Sequence, residues 1–335
     1  MSKVVCFGEL LLRLTAPGRE LLLQSGRLDV HVGGAEANVA VGLASLGYQA
    51  AMVSCVPANP LGNAAEGYLR RHKVATDAVA HADGRMGLYF LACGAGSRPS
   101  AIVYDREGSS FALADPGSYA WDRLLDGADL LHLSGVTPAL GPAPAAAALA
   151  AAEAASAKGV RVSFDGNYRA QLWQRWDSDP KDILGQLVGK ADIFFGNHRD
   201  ISLLLDREFS GDGEERRREG ALAALEAFPK LQLIASTARH ADDADRHRIS
   251  ARVDTREASH QTDEILIAGI VDRIGTGDAF AVGVLHAVLG GSKLQTAADY
   301  GLALACLKHS LPGDASLFGQ ADIDSFLAGE RDVKR

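Results

Sequence analysis

The stretch Ile270-Val271-Asp272-Arg273-Ile274-Gly275-Thr276-Gly277-Asp278 runs directly into an apolar segment from Ala279 to Leu289. Two glycines and an aspartate open what reads as a helix. Small residues let backbone N–H groups converge, and a helix N-terminus adds partial positive charge. That combination binds anions and stabilises negative charge developing on a group in transit. Asp278 falls in the first turn, where it can accept a proton from a hydroxyl. Gly275 to Asp278 also read as a plain glycine-rich turn with a helix-stabilising acidic residue. A motif this short does not decide between the two readings; the chain around it does.

Strand-like and helix-like stretches alternate on both sides. Val4 to Phe7, Ala51 to Val56, Leu130 to Leu133, Val160 to Phe164, Ile193 to Phe195 and Leu231 to Ala235 read as strands. Gly34 to Leu46, Ala64 to Lys73, Ala143 to Lys158, Arg199 to Leu205, Arg216 to Phe228, Thr276 to Leu289 and Leu294 to His309 read as helices. This alternation predicts βαβ units and an α/β fold with a mostly parallel central sheet. Two regions break it, at about residues 11–33 and 86–113. In the first, Leu28, Val30 and Val32 alternate with Asp29 and His31; in the second, Tyr89, Leu91, Ile102 and Tyr104 stand among glycine and proline. Both read as antiparallel ribbons forming a small β lid, whose apolar face could bind a second subunit. Residues 221–268 contain no glycine, and Arg239 to His260 are dense in Asp, Arg and His. His240, His247 and His260 lack metal-ligand spacing, so this region reads as a solvated hairpin.

The 335 residues suffice for one large α/β domain or two ordinary ones. A net charge of −8 argues against nucleic acid or an anionic membrane as the main partner. It leaves room for a small anionic ligand held by local arginines. Cys6, Cys55, Cys93 and Cys306 form no Cys-x-x-Cys, which disfavours zinc and dithiol chemistry and predicts reduced thiols in the cytoplasm. No basic-then-apolar leader precedes Lys3. The alanine-rich run from Ala143 to Ala157 is too short and too weakly apolar to cross a membrane. No Gly-x-Gly-x-x-Gly follows the first strand, which disfavours a nicotinamide dehydrogenase.

Gly33-Gly34-Ala35-Glu36-Ala37-Asn38 and Asp272 through Asp278, about 240 residues apart, together resemble the two signatures of the ribokinase-like, or PfkB-type, carbohydrate kinases. The strand–helix order and both lid insertions agree, so the resemblance covers nearly the whole chain as a single kinase domain, 1–335, of ribokinase-like three-layer fold. Further segments resemble the 2-keto-3-deoxygluconate kinases of that family. They are Gly87-Leu88-Tyr89, Tyr104-Asp105-Arg106, His132 to Pro138 and Asp165-Gly166-Asn167-Tyr168-Arg169.

The resemblance implies transfer of a phosphoryl group from ATP to a sugar-acid hydroxyl, with Asp278 as base and Gly275, Thr276 and Gly277 as anion hole. It implies substrate contacts from Gly33, Gly34, Asn38, Tyr89, Tyr104, Arg106, Arg169 and Asp314. Arg106 and Arg169 suit the carboxylate that a sugar acid carries and a neutral sugar lacks. Tyr89 and Tyr104 are expected to reach the keto and hydroxyl oxygens from alternate positions of one lid strand. Asn197-His198-Arg199-Asp200 is similar to the family's Asn-x-x-Glu motif, with a shorter acid. It implies Mg²⁺ held indirectly, through water, by Asn197 and Asp200; the structural alternative is a helix cap. The family's adenine-side glycine turn is missing, which turns attention to Ser236, Thr237 and Arg273 as nucleotide contacts. Relatives often hold a monovalent cation beside the anion hole, and the sequence leaves that open here. It also leaves open a fructokinase-like activity on a neutral sugar and a non-catalytic sugar-acid sensor.

Overall fold

The computed structural model describes residues 2–209 and 213–330. The chain opens with β1 (Lys3–Phe7), β2 (Leu11–Thr15), β3 (Asp29–Gly33), α1 (Ala35–Ser45), β4 (Gln49–Pro57), α2 (Pro60–Arg71), β5 (Ala75–Ala82), β6 (Gly87–Ala92) and β7 (Ala101–Asp105). It continues through α3 (Trp121–Leu124), β8 (Leu130–Ser134), α4 (Pro142–Ala157), β9 (Arg161–Asp165), α5 (Ala170–Trp173), α6 (Pro180–Gly189), β10 (Ile193–Phe195), α7 (His198–Leu205) and α8 (Gly213–Ala227). It ends with β11 (Leu233–Asp243), β12 (Arg246–Asp254), β13 (Ser259–Gln261), β14 (Ile265–Ala268), α9 (Thr276–Leu289), α10 (Leu294–Lys308) and α11 (Gln320–Leu327).

Ten strands form one sheet in the order β13-β12-β11-β10-β9-β8-β1-β4-β5, with β14 beside β12. Every pair from β11 to β5 is parallel. Both faces are therefore covered by helices. β1 shows the consequence: Val4 and Cys6 point into one core with α1, α9 and α10, while Val5 and Phe7 point into the other with α4, α6 and α8. Glycine permits the closest helix contact. A Cβ at Gly283 of α9 would lie 2.3 Å from the Tyr300 carbonyl of α10. The alanine-rich segment is helix α4, set going by Pro142 in its first turn and packed into the second core by its alanines.

The two insertions pair into a separate four-stranded sheet, β3-β2-β6-β7. Each insertion supplies an antiparallel pair, but the central pair, β2 with β6, is parallel. The lid is thus mixed rather than wholly antiparallel, because its two middle strands come from separate insertions. Register puts Tyr89 and Tyr104 directly opposite each other on β6 and β7, with ring centroids 6.2 Å apart. They are cross-strand partners, not alternate residues of one strand.

The glycine-free region forms the expected hairpin, β11 with β12. It is not wholly solvated, since His247, Arg252 and Asp254 are buried. Ile249, Ala251 and Val253 join the helical core on one face. On the other face Arg252 forks onto Asp254 at 2.8 and 3.0 Å and reaches Glu214 of α8 at 3.0 Å. Charged residues read as solvated are here paired with one another, which makes their burial tolerable.

Candidate active site

Parallel strands that end together place the residues following them side by side. Ser134, Asp165, Phe195 and Ala235 close β8 to β10 and the parallel part of β11 in matching register. The order reverses between β1 and β8, so Gly8 and Glu9 border the crevice where open α/β sheets bind ligands. This edge collects the Asp165–Arg169 and Asn197–Asp200 segments together with Ser236 and Thr237.

α9 points its N-terminus at the edge. Gly275 caps it in the left-handed region, with φ 76°. A Cβ there would fall 1.6 Å from the Asp314 carbonyl, so only glycine fits. The first N–H groups of α9 have no carbonyl within the helix. The Thr276 hydroxyl donates to the Arg273 carbonyl at 3.0 Å, which leaves the backbone N–H groups as the donors able to meet an anion there. Asp278 is half-buried and accepts a 2.6 Å hydrogen bond from the Asn38 amide. Burial pushes its pKa up to about 8; Asn38 opposes this, while Asp165, Asp314 and Glu36 add like charge. A carboxylate so placed is basic enough to take a hydroxyl proton near neutral pH.

The glycine pair lies under the lid. A Cβ on Gly33 would meet Asp314 Oδ2 at 2.3 Å, and one on Gly34 would meet the Glu9 carbonyl at 2.3 Å. Tyr89 donates its hydroxyl to Asp314 Oδ2 at 2.7 Å, and Leu11, Tyr89 and Leu91 pack against Ile274 of the α9 turn. Arg106 is buried, with Nε on Glu9 Oε2 at 2.5 Å. It is therefore neither a surface salt bridge nor a lone cation. Arg169 is exposed just before α5, its guanidinium on the Tyr168 carbonyl at 3.1 Å.

Asn197 and Asp200 form a capping box on α7: Asp200 Oδ2 accepts the Asn197 N–H at 2.8 Å, and Asn197 Oδ1 accepts the Arg199 N–H at 2.8 Å. Burial first, then the charge of Asp200, raises Asp165 to about 7. These carboxylates repel each other across the crevice. Ser236 is buried and Thr237 half-buried where β11 leaves its parallel partner. Arg273 is exposed, and its charge together with that of Arg239 makes the flank of the α9 turn basic.

Sequence reading gave no role to four residues beside these, although Glu36 and Asp272 lie inside the two quoted signatures. Glu36 is 1% exposed and receives Ser134 N, Ser134 Oγ and Thr137 Oγ1 at 3.1, 2.9 and 2.7 Å, tying the glycine pair to the end of β8. Glu9 holds Arg106, and Arg13 and Asp272 pair at 2.5 Å. The available signal was a lone charge in an apolar run, as Arg13 is between Leu12 and Leu14.

A parallel sheet covered on both faces, a lid over its edge and a carboxylate of raised pKa at a glycine-capped helix match the architecture of one class of sugar kinase. Residues 1–317 match the model of the pfkB family of carbohydrate kinases, and the chain belongs to that family. It is 31% identical over 328 residues to a 2-dehydro-3-deoxygalactonokinase of Haloferax volcanii, covering 98% of this chain and 97% of that one. It is 26% identical over 333 residues to a 2-dehydro-3-deoxygluconokinase of Bacillus subtilis, covering 98% and 96%. The crystal structure of a 2-dehydro-3-deoxygluconokinase from Thermotoga maritima superposes with a TM-score of 0.93 at 36% identity, over 98% of this chain and 100% of that one. Among the described residues, no helix is long and apolar enough to cross a membrane.

Proposed function

We propose that this chain transfers the γ-phosphoryl group of ATP to the terminal hydroxyl of 2-keto-3-deoxygluconate, giving 2-keto-3-deoxy-6-phosphogluconate. The observation that carries the reading is Asp278: a carboxylate of raised basicity at the N-terminus of α9, held by Asn38. The hydroxyl oxygen forms a bond to the γ-phosphorus, and the bond from that phosphorus to the ADP oxygen breaks. The hydroxyl proton passes to Asp278. Backbone N–H groups of Gly275, Thr276 and Gly277 carry the charge on the transferring group.

Tyr104, Arg106 and Arg169 face the sugar acid from the lid and from the end of β9, with Arg169 exposed and free to fork onto its carboxylate. Tyr89 and Asp314 act as one hydrogen-bonded unit on the acceptor side. Ser236, Thr237 and Arg273 line the nucleotide side. The mutually repelling pair Asp165 and Asp200 suits a hydrated Mg²⁺. Asp200, with Asn197, would hold it through water, where it screens the phosphate charge. The chain works as one kinase domain, 1–335, with its lid from residues 11–33 and 86–113, in the cytoplasm. Val30, Leu14, Phe90 and Val103 stand in one row across the outer lid face, with Val30 and Val103 more than half exposed, and this row supports pairing with a second copy.

The test is ATP-dependent phosphorylation of 2-keto-3-deoxygluconate, its galactonate epimer, fructose, ribose and adenosine, with and without Mg²⁺. Turnover confined to the keto-deoxy acids is expected. Preference for a neutral sugar overturns the substrate reading, and sugar-acid binding without turnover overturns the reaction.

A further inference from the structure

Among the described residues, Arg13 and Arg252 are the largest fully buried side chains, each at 1% exposure. Arg13 projects from β2, in the middle of the lid, onto two carboxylates of the main body. Nη2 donates to Asp272 Oδ2 at 2.5 Å, and Nη1 faces Asp314 Oδ1 at 3.2 Å. Both carboxylates shape the anion hole. Asp272 accepts the N–H of Ile274 at 3.0 Å and of Gly313 at 3.1 Å. Asp314 sets its carbonyl against Gly275. The buried Lys308 lies within electrostatic reach of the same two acids, while its Nζ donates to the Leu311 carbonyl at 3.0 Å. A pair of buried acids beside a phosphate-binding turn is a natural seat for an alkali-metal ion, but here the Arg13 guanidinium already stands on both carboxylates. Arg13 Nε and Nη1 have no hydrogen-bond partner among the described residues, so the guanidinium acts there chiefly as a charge.

We propose that Arg13 is the resident cation of this site, holding Asp272 and Asp314 together and setting the anion-hole turn without K⁺ or Na⁺. Arg13 is a positioning residue: it acts on the transferring phosphoryl group only through the turn it braces. Because it belongs to the lid, it also ties lid closure to the geometry of the hole. This inference rests on the kinase reading above, and its test is separated from that reading by a measurement needing no acceptor.

Thermal unfolding of the full chain with ATP and Mg²⁺, and turnover on the accepted sugar acid, are measured in KCl, NaCl and tetramethylammonium chloride at one ionic strength. The wild type is expected to show the same Tm and turnover in all three. Arg13→Ala is expected to lose turnover on the order of 10²-fold through misplacement of the hole. It should recover at least tenfold with K⁺ or millimolar guanidinium, and its Tm should become K⁺-dependent. Arg13→Lys should retain most turnover. K⁺-specific activation or a K⁺-specific rise in Tm of the wild type overturns the proposal. So does an Arg13→Ala loss that neither cation relieves, since that marks a purely structural arginine. If the alanine variant does not fold, the wild-type Tm series decides alone.

Discussion

Asp278→Asn separates catalysis from stability at one atom. The variant keeps an oxygen to accept the 2.6 Å bond from Asn38 but cannot take up a proton. Turnover should fall about 10²–10⁴-fold, the usual weight of a general base. Stability should move the other way. The Asp278 pKa rises from 3.8 to about 8 in the folded chain, chiefly through burial. The folded protein therefore keeps this proton where the unfolded chain has released it. Its contribution to stability is fully present below pH 3.8 and is lost as pH rises through about 8. That gap sets a ceiling of about 6 kcal/mol, at about 1.4 kcal/mol per pH unit. Water reaches the half-buried carboxylate, and neighbouring acids share the titration, so about 1–3 kcal/mol is expected at pH 8.

For a chain of this size that gain is a Tm increase of about 2–5 °C. Thermal unfolding between pH 5 and 8.5 measures it: the wild type should lose stability with rising pH more steeply than the variant. In parallel, wild-type kcat/KM should climb with pH toward about 8, with roughly a tenth of the base active at pH 7. Turnover retained by the variant would refute the assignment of the base. An unchanged pH slope of stability would refute burial as the source of its basicity.

The two arginines read as carboxylate ligands should behave differently. Arg106→Gln leaves Glu9 buried without its cation, so a loss of about 3–5 kcal/mol in chemical denaturation is expected along with weakened activity on every acceptor. Arg169→Gln, at an exposed position, should leave Tm unchanged and raise KM for the sugar acid about 10–100-fold, with little effect on any neutral-sugar turnover. Gly275→Ala should abolish measurable turnover and lower Tm, because φ 76° and a Cβ 1.6 Å from the Asp314 carbonyl force the anion-hole turn to move. A structure of that variant with the turn in place would contradict the argument.

Much of the α/β frame was legible because its signals are local. Ile193–Phe195 and Thr276–Leu289 were read with their observed bounds, since a short apolar run and a glycine-capped periodic segment leave little choice. The lid insertions were legible as ribbons, but the parallel pairing of β2 with β6 was not, because register between distant segments leaves no local trace. The same limit applies to the site. Gly275 and Asp278 stand out only together with the distant glycine pair, whereas the partner of Arg13 lies 259 residues away at Asp272. The capping role of Asn197 and Asp200 was foreseen as one of two readings, and the structure shows that cap in place. Tertiary pairing also explains the hairpin: Arg252 and Asp254 look solvated in sequence and are buried because each satisfies the other.

The distribution of charge explains how a site crowded with acids can serve anionic ligands. Glu9 is taken by Arg106, and Asp272 and Asp314 by Arg13, all at low exposure. Those pairs offset most of the acids' charge beside the crevice, although Asp314 still adds like charge at Asp278. Arg169 and Arg273 remain exposed at its rim, where the proposed function gives them a sugar acid and phosphates to meet. Asp278 differs from the paired acids in that its side-chain partner is the neutral amide of Asn38. An arginine in that place would hold Asp278 ionised but drain its basicity, as opposite charge does to any carboxylate. An amide orients the oxygen and leaves its affinity for a proton high. On the proposed reading, the asparagine at position 38 therefore tunes proton transfer from the neighbouring helix α1.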